Sequence, residues 1–419
     1  METDLESFSD AAASAAPMKA QPRLGLALSW PKTTSAFLVD VAVLIVVSKL
    51  AGGPQAAMWW GGVAVALVAT AALLLTYRGI TVISALARWL WDWSAPDIWD
   101  SSPEPAAALN TPESSPPRGE TLNPGCTAAI DHRRRFGRSV VGVRGYRGQL
   151  VAVVALDGPA DAPHHHHTAS STTLPVLAVA AGLRHFDVRL DAIDIVAVRT
   201  RHVAAAEDRP PGFEHRTWLV LRMDPQRNVG AVAARDSLAS TLAAVVERLV
   251  DDLNGRRCAA RPLTADEFAE VDAAVAAGLQ PASTRSGLRH LKCFDGYATS
   301  FWVSPQDITS ETLDRLWLDD TDVTVLTIRL SAAAGRVHAS AWVRYHSAQR
   351  LGNDVCVGLN RLVARQLAAV HASLPAPAKR PPLVVPGRPL RDDEQLEIGL
   401  GPTELGAASE HPMSEAAAV

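Results

Sequence analysis

Two long apolar runs open the pattern, Thr33 to Leu50 and Met58 to Tyr77. A helix needs about 20 mostly apolar residues, within roughly 17–25, to cross a bilayer core. Both runs meet that length and predict transmembrane helices at 33–50 and 58–77. Their connection, Ala51–Ala57, holds Gly52, Gly53 and Pro54 and is short enough to force an antiparallel hairpin. Beyond it, Val82, Leu86, Trp89, Leu90 and Trp93 recur at helical spacing, with Arg88 and Asp92 off the stripe. The 78–93 segment therefore reads as a juxtamembrane helix. It either bends into the membrane interface or runs on into the cytosol.

The pattern then lapses. Residues 94–125 carry seven prolines among Ser, Thr, Glu and Ala, a composition that cannot bury a core and reads as a linker. From 126 the chain alternates short strand and helix patterns. Val140–Ala155 reads as a hairpin around Gly145–Gly148, Pro175–Leu183 as a helix, and Ile193–Arg201 and Thr217–Met223 as strands. Leu238, Leu242, Val245, Val246, Leu249 and Leu253 share one helix face that ends at Asn254–Gly255. Thr264 and Glu267 form a capping-box start for a second helix, with Gly278 past its end.

A similar order follows. Cys293–Val303 reads as a strand. Ser304–Pro305 opens a short helix through Leu316, with Ser as cap and Pro at its first position. Val323–Leu330 and Val337–Tyr345 read as strands paired around Gly335, and Leu359, Leu362, Val363, Leu367 and Val370 as a helix face. The expected fold is an α/β (α+β) cytoplasmic domain behind the hairpin. It comprises two similar strand–helix–strand–strand–helix halves, 126–285 and 286–375. Residues 376–419 form a Pro-rich and acidic tail in which Leu383–Val385 can dock as an edge strand.

Charge and aromatic placement orient the hairpin. Lys19, Arg23 and Lys32 precede the first run, Arg78 and Arg88 follow the second, and only Lys49 lies near the turn. The positive-inside rule puts both ends in the cytoplasm, including the N-terminal segment 1–32. That segment is acidic and Ala/Ser-rich, unlike a cleavable signal. Seven of the eleven tryptophans fall in the first 100 residues. Trp30 and the Trp59–Trp60 pair mark opposite interfaces, and Trp89, Trp91 and Trp93 set the depth of the following helix. Asp40 stands inside the first helix, where an ionisable side chain is costly. It either meets a helix of another subunit or reaches water or a headgroup.

The net charge is -4, and hydrophobic residues make up 48% of the chain. That balance argues against a nucleic-acid binder, which shows a strongly basic face. The four cysteines, Cys126, Cys258, Cys293 and Cys356, lie far apart and form no CxxC pair, which fits a reducing compartment. Phosphate-binding, metalloprotease and nucleophile-elbow motifs are absent from the sequence. His164–His167 sits in a Pro/Asp/Ser/Thr-rich loop without the fixed geometry a metal requires. Asp187, Asp191 and Asp194, like Asp319, Asp320 and Asp322, come without a neighbouring nucleophile or base and read as turn and cap residues. No catalytic, cofactor-binding or metal residue is assigned. Arg133, Arg134, Arg135 and Arg138 form a basic cluster past the linker, joined by Arg144 and Arg147, that suits an acidic partner or anionic lipid.

Several long segments carry a family resemblance: GLALSWPKTTSAFLVD (25–40), TYRGITVISALARWLWDWSA (76–95), AIDHRRRFGR (129–138), RTWLVLRMDPQRNVGAVAARDSLASTLAA (216–244), GYATSFWVSPQDITSETLDRLWL (296–318) and the stretch 340–377. Together they resemble EccE, a membrane component of the mycobacterial type VII (ESX) secretion system. The wording is most similar to the branch from the fifth such system, which exports PE and PPE proteins. The resemblance covers most of residues 20–390. It implies a non-catalytic subunit of a bacterial inner-membrane complex, with EccB, the EccC ATPase, EccD and the mycosin protease as partners, membrane lipid around it and no cofactor. The competing reading is a membrane-tethered transferase acting on a lipid-linked substrate, which needs the two aspartate groups to converge beside one pocket.

Overall fold

A computed structural model of the chain describes residues 24–26, 30–50, 56–77, 80–81, 128–135, 137–146, 149–157, 173–202, 212–233, 237–280, 283–318, 320–333, 335–352, 357–375 and 383–400. The linker 94–125, the segment 82–93 with Trp89, Trp91 and Trp93, the His164–His167 tract and the tail from 401 lie outside the described residues.

The two apolar runs are helices, Trp30–Leu50 and Ala56–Leu74. The second stops three residues short of its expected end. Leu75–Tyr77 instead pairs antiparallel with Leu24–Leu26, and Ile80–Thr81 folds back onto Thr76–Tyr77. Where a continuing helix was expected from 78, the backbone at Ile80–Thr81 is therefore extended, as β-branched residues with a free strand partner favour.

The chain divides into two compact units that do not follow a boundary at 285. One comprises residues 1–126, 272–308 and 339–388, the other 127–271, 309–338 and 389–419. The second unit is built on antiparallel strands. Ala192–His202 pairs with Gly212–Met223 along its whole length and with Val323–Ala333 on its other edge. Gln149–Leu156 pairs with Gly212–Met223, followed by Val140–Tyr146 and then Ile130–Arg133, while Ala260–Pro262 also lies against Gln149–Leu156. Residues Ala192 through Val198 are all buried, so both faces of this strand are covered. That is why its sequence reads as a nearly continuous apolar run rather than an alternating one.

Helix Leu238–Gly255 forms as its pattern predicts. The Ser237 hydroxyl accepts from the Ser240 amide at 3.0 Å as N-cap, and Leu242, Val245, Val246, Leu249 and Leu253 are buried on one face. Each such aliphatic side chain, fully buried, contributes about 1.5–3 kcal/mol. In its last turn, the Asn254 side chain bonds both the amide and the carbonyl of Ala260, which fixes the turn into the next strand. Only half of the expected capping box forms, and the helix starts at Phe268, four residues past the expected cap Thr264. Glu267 accepts from the Thr264 amide at 2.8 Å and from its hydroxyl at 3.0 Å, and the helix Phe268–Ala276 ends before Gly278 at φ +75°.

In the first unit, Tyr297–Trp302 pairs with the end of strand Arg336–Ser347, from Tyr297↔Ser347 to Trp302↔Trp342. Trp302, Trp342, Leu362, Ala369 and Leu383 form a buried cluster, and the Trp342 indole donates to Ser373 at 3.0 Å. Leu383 thus docks through its side chain; among the described residues 383–385 is not a strand.

Two expected helices differ. Ser304 gives no side-chain cap; its hydroxyl accepts from Asn360 at 2.9 Å, and Pro305–Asp307 is a 3-10 turn. The α-helix proper is Ser310–Asp314, capped by Thr309. The helix face expected from Leu359 is interrupted. Asn360–Arg361 pairs as a strand with Phe301–Trp302, Ala364 takes φ +59°, and the helix runs only from Gln366 to Ser373. Gln366 explains the change. Its side chain bonds the amide and carbonyl of Ser300 and the carbonyl of Leu362, a set of contacts available only if the helix starts there.

Candidate functional site

The hairpin helices meet through small residues. Ala36 and Ala66 are buried, and a Cβ at Gly62 would stand 2.8 Å from a Val47 methyl. Small residues at such a seam let backbones approach closely. The outward faces are apolar and exposed, with Phe37, Leu38, Ile45, Val46, Val65, Leu67 and Val68 on them. Trp30, Trp59 and Trp60 are also exposed. Asp40 sits between the helices, where its Oδ2 accepts from the Thr70 hydroxyl at 2.5 Å while its Oδ1 is buried without a hydrogen-bond partner. Among the described residues no single helix is long and apolar enough to cross a membrane; the apolar part of the second runs from Trp59 to Leu74.

The basic cluster lies on strand Ile130–Arg133, at the end of the strand order in its unit, and on the turn that follows. Its four arginines do not act alike. Arg133, Arg135 and Arg138 are exposed, whereas Arg134 bonds Glu247 of helix Leu238–Gly255 at 2.7 Å. Neighbouring side chains secure the strand: His132 contacts Ser240 at 2.9 Å, and Asp131 accepts from the Ala265 amide at 2.6 Å. Arg144 is buried, with its guanidinium 4.7 Å from the Phe268 ring centre, and Arg147 lies outside the described residues.

The aspartates separate into different roles. Asp187 lies in a turn, as expected. Asp194 does not, and its reading as a turn or cap residue is corrected. It stands inside strand Ala192–His202, fully buried, and accepts from Arg329 at 2.7 and 2.8 Å and from Arg222 at 2.8 Å. Burial raises its pKa, but Arg329 and Arg222 outweigh that and hold the carboxyl below its usual value. Asp191 accepts from Arg227 at 2.9 Å; burial pushes its pKa up, against the pull of Arg227.

Asp320 and Asp322 are exposed in the turn before strand Val323–Ala333, where Thr321 bonds Leu318 and Thr324. The strand register fixes how far apart these groups are. Asp194 lies opposite Arg329, while the Arg201 amide bonds the Asp322 carbonyl seven positions along. At about 3.4 Å per residue that is roughly 24 Å.

A second charged surface was not singled out in the sequence. Glu214 is bonded by His202 at 2.8 Å and by Arg216, which also reaches Glu270. Burial raises the Glu214 pKa, but these two partners reverse the shift. Arg261 pairs with Glu267 at 2.6 Å beside them. Glu214, Arg216, Arg261, Glu267 and Glu270 line a small cleft of about 220 Å³, where carboxylates outnumber guanidinium groups. Among the described residues, no group of three or more His, Cys, Asp or Glu side chains is placed to hold a metal ion. The two described cysteines, Cys258 and Cys293, form no disulfide.

The arginines that bind Asp194 carried a legible signal. Arg222 in LVLRM and Arg329 in LTIRL both interrupt apolar strands, and a charge enclosed in an apolar strand requires a partner. What the sequence does not state is which carboxylate supplies it.

Comparison with known proteins gives a consistent picture. Residues 213–303 match the family model of EccE, of the type VII ESX secretion system. The chain is 49% identical to the ESX-5 secretion system protein EccE5 of Mycobacterium marinum, over 94% of this chain and 99% of that one. It is 52% identical to the protein of the same name from Mycobacterium tuberculosis, over 92% and 97%. It is 26% identical to the ESX-2 secretion system protein EccE2 of Mycobacterium tuberculosis, over 65% of this chain and 52% of that one.

Proposed function

The chain belongs to the EccE family of type VII (ESX) secretion system components, and from that premise we propose that it is a non-catalytic structural subunit of the secretion complex at the inner membrane. The near full-length match to the ESX-5 proteins is the observation that carries this reading. The hairpin anchors the subunit, with both termini in the cytoplasm. Its exposed apolar faces and the exposed Trp30, Trp59 and Trp60 support insertion in lipid, because a water-soluble surface rarely leaves such a patch uncovered. Asp40, half-buried on the first helix, contacts a helix of a neighbouring subunit. Arg133, Arg135 and Arg138 meet acidic protein or anionic lipid. The partners are the other membrane subunits, EccB, the EccC ATPase, EccD and the mycosin protease.

The transferase reading needs its two aspartate groups beside one pocket. Asp194 is committed to two arginines, and Asp322 lies roughly 24 Å along the strands from it. That separation favours the structural role.

The test is mild-detergent extraction of the tagged full-length protein from its native membrane, with native-gel sizing and mass spectrometry of what co-migrates. Recovery in a very large complex containing an ATPase and other membrane subunits is expected. Recovery as a lone chain or simple dimer, under conditions that preserve other assemblies, would overturn the proposal. Alanine at Asp320 and Asp322 separates the two classes. Export lost while the complex stays intact would favour an enzyme.

A further inference from the structure

A cleft of about 730 Å³ in the second unit carries an unbalanced charge. Arg184, Arg189, Arg227 and Arg336 line it, against one carboxylate, Asp191. Its volume lies within the usual range for small-molecule sites. Leu183 and Leu190, both buried, supply apolar lining.

Three features point to an anion-binding site. First, Arg184 and Arg189 are direct partners across a two-stranded hairpin, so two like charges face each other. That arrangement is destabilising unless something neutralises it. Second, among the described residues neither of these arginines, nor Arg336, has a carboxylate partner. Third, Arg227 is the exception and shows what the others lack, since its guanidinium is held by Asp191 at 2.9 Å.

Asp191 adds a second recognition element. Its Oδ1 takes the Arg227 bond, while its Oδ2 is buried with no hydrogen-bond partner. A buried acceptor left unpaired carries a penalty that a donor on a ligand removes. The site is also held in place. Asn228, itself buried, accepts from the Arg189 amide at 2.7 Å and donates to the carbonyls of Arg189 at 2.9 Å and Asp224 at 2.8 Å. The arginine-bearing strand is thereby tied to the turn that carries Arg227.

We propose that this cleft binds a phosphate ester that also bears a free hydroxyl, with the phosphate on Arg184, Arg189 and Arg336 and the hydroxyl donating to Asp191. Guanidinium groups suit phosphate because their planar forks give paired, charge-assisted hydrogen bonds. The same chemistry is found on a soluble sugar or glycerol phosphate and on a hydroxylated phospholipid headgroup. The assignment stands apart from the structural role proposed above.

The experiment uses full-length protein in nanodiscs of phosphatidylcholine, probed with glycerol 3-phosphate by calorimetry and thermal shift. A parallel arm uses discs containing phosphatidylglycerol. The double variant Arg184→Gln with Arg189→Gln is the comparison. Wild-type protein is expected to bind in at least one arm, and the double variant about tenfold or more weaker. Without ligand, the double variant is expected to melt no lower than wild type, because the like-charge pair is relieved. Binding in the phosphatidylcholine arm identifies a soluble ligand, and a stabilisation confined to phosphatidylglycerol discs identifies a headgroup. Asp191→Asn should weaken glycerol 3-phosphate more than inorganic phosphate. Equal behaviour of wild type and double variant in both arms overturns the proposal. So does a double variant that melts several degrees lower without ligand, since the arginines would then be structural.

Discussion

Asp194 and Arg329 are direct partners across two antiparallel strands, and two hydrogen bonds of 2.7 and 2.8 Å join their side chains where the carboxylate is fully buried. Arg222 reaches the same carboxylate from the strand on the other side. One acid therefore ties three strands. It also fixes their register, because a slip of one residue would turn Asp194 to the opposite face and strand all three charges.

Removing that acid should be severe. Asp194→Ala leaves two guanidinium groups without their shared carboxylate, and breaking such a buried pair typically costs about 3–5 kcal/mol. Thermal unfolding of the full-length protein in detergent should show a large drop in melting temperature. Arg329→Leu should be milder than Asp194→Ala, since Arg222 still holds the carboxylate. The pH dependence has a fixed sign. The folded-state pKa of Asp194 lies below the ordinary value of 3.8, so its contribution is present above that pH. It is lost as pH falls below about 3.8 toward the folded-state value.

His215 sets a separate window. Burial, and after it the charge of Arg199, lower its pKa from 6.5 to about 4. Its Nε2 is buried without a partner, and its ring packs edge-on against Trp317. The unfolded chain binds the proton more readily, so stability is full above 6.5 and declines as pH falls toward about 4. His215→Phe keeps the ring contact and has no proton to bind. Its melting temperature should stay flat between pH 6.5 and 4.5 relative to wild type, and equal slopes for the two proteins would refute this.

Two glycines predict opposite outcomes for the same substitution. A Cβ on Gly142 would come within 2.7 Å of the Thr264 carbonyl carbon and 2.8 Å of the Phe268 ring, while the Gly142 amide donates to Leu263 at 2.7 Å. Backbone on one side and a buried ring on the other leave little room to give. Gly142→Ala should destabilise by about 1–3 kcal/mol. Gly230 lies in the short helix Val229–Ala233 with nothing within 4 Å of its built Cβ. Gly230→Ala should be neutral or stabilising by up to about 1 kcal/mol. Paired melting curves check both.

Local signals in the sequence were legible wherever one segment decides its own structure. The Leu242–Leu253 stripe and the Thr264–Glu267 pair each rest on residues within a few turns of one another; the first appears as read, and the second keeps the bond from the Thr264 amide to Glu267. Signals failed where a distant residue decides. Leu359 to Val370 has helical spacing, but Asn360 is taken by Ser304 and Gln366 by Ser300, contacts 56 and 66 residues away. Asp194 looked like a turn acid because its nearest partner in space, Arg329, lies 135 residues along the chain. The arginine cleft has no signature in the sequence for the same reason, since Arg184, Arg227 and Arg336 share no local motif.

The basic edge gives the last prediction, because its arginines divide into one held by Glu247 and three that are exposed. Arg134 is held by Glu247, so Arg134→Ala should lower stability slightly, within about 1 kcal/mol for a partly exposed pair. Arg133, Arg135 and Arg138 point to solvent, so changing all three to Glu should leave the melting temperature nearly unchanged. Association is where the triple variant should differ. Near an anionic surface each basic residue adds to binding, and reversing three should weaken it by roughly tenfold or more. The same change should remove much of its salt dependence. Native-gel recovery of the complex and co-sedimentation with anionic vesicles read the two routes separately. A fall in the first alone points to an acidic subunit, and a fall in the second alone points to lipid. If neither changes, the exposed arginines serve only solubility, and the docking face of the unit lies elsewhere.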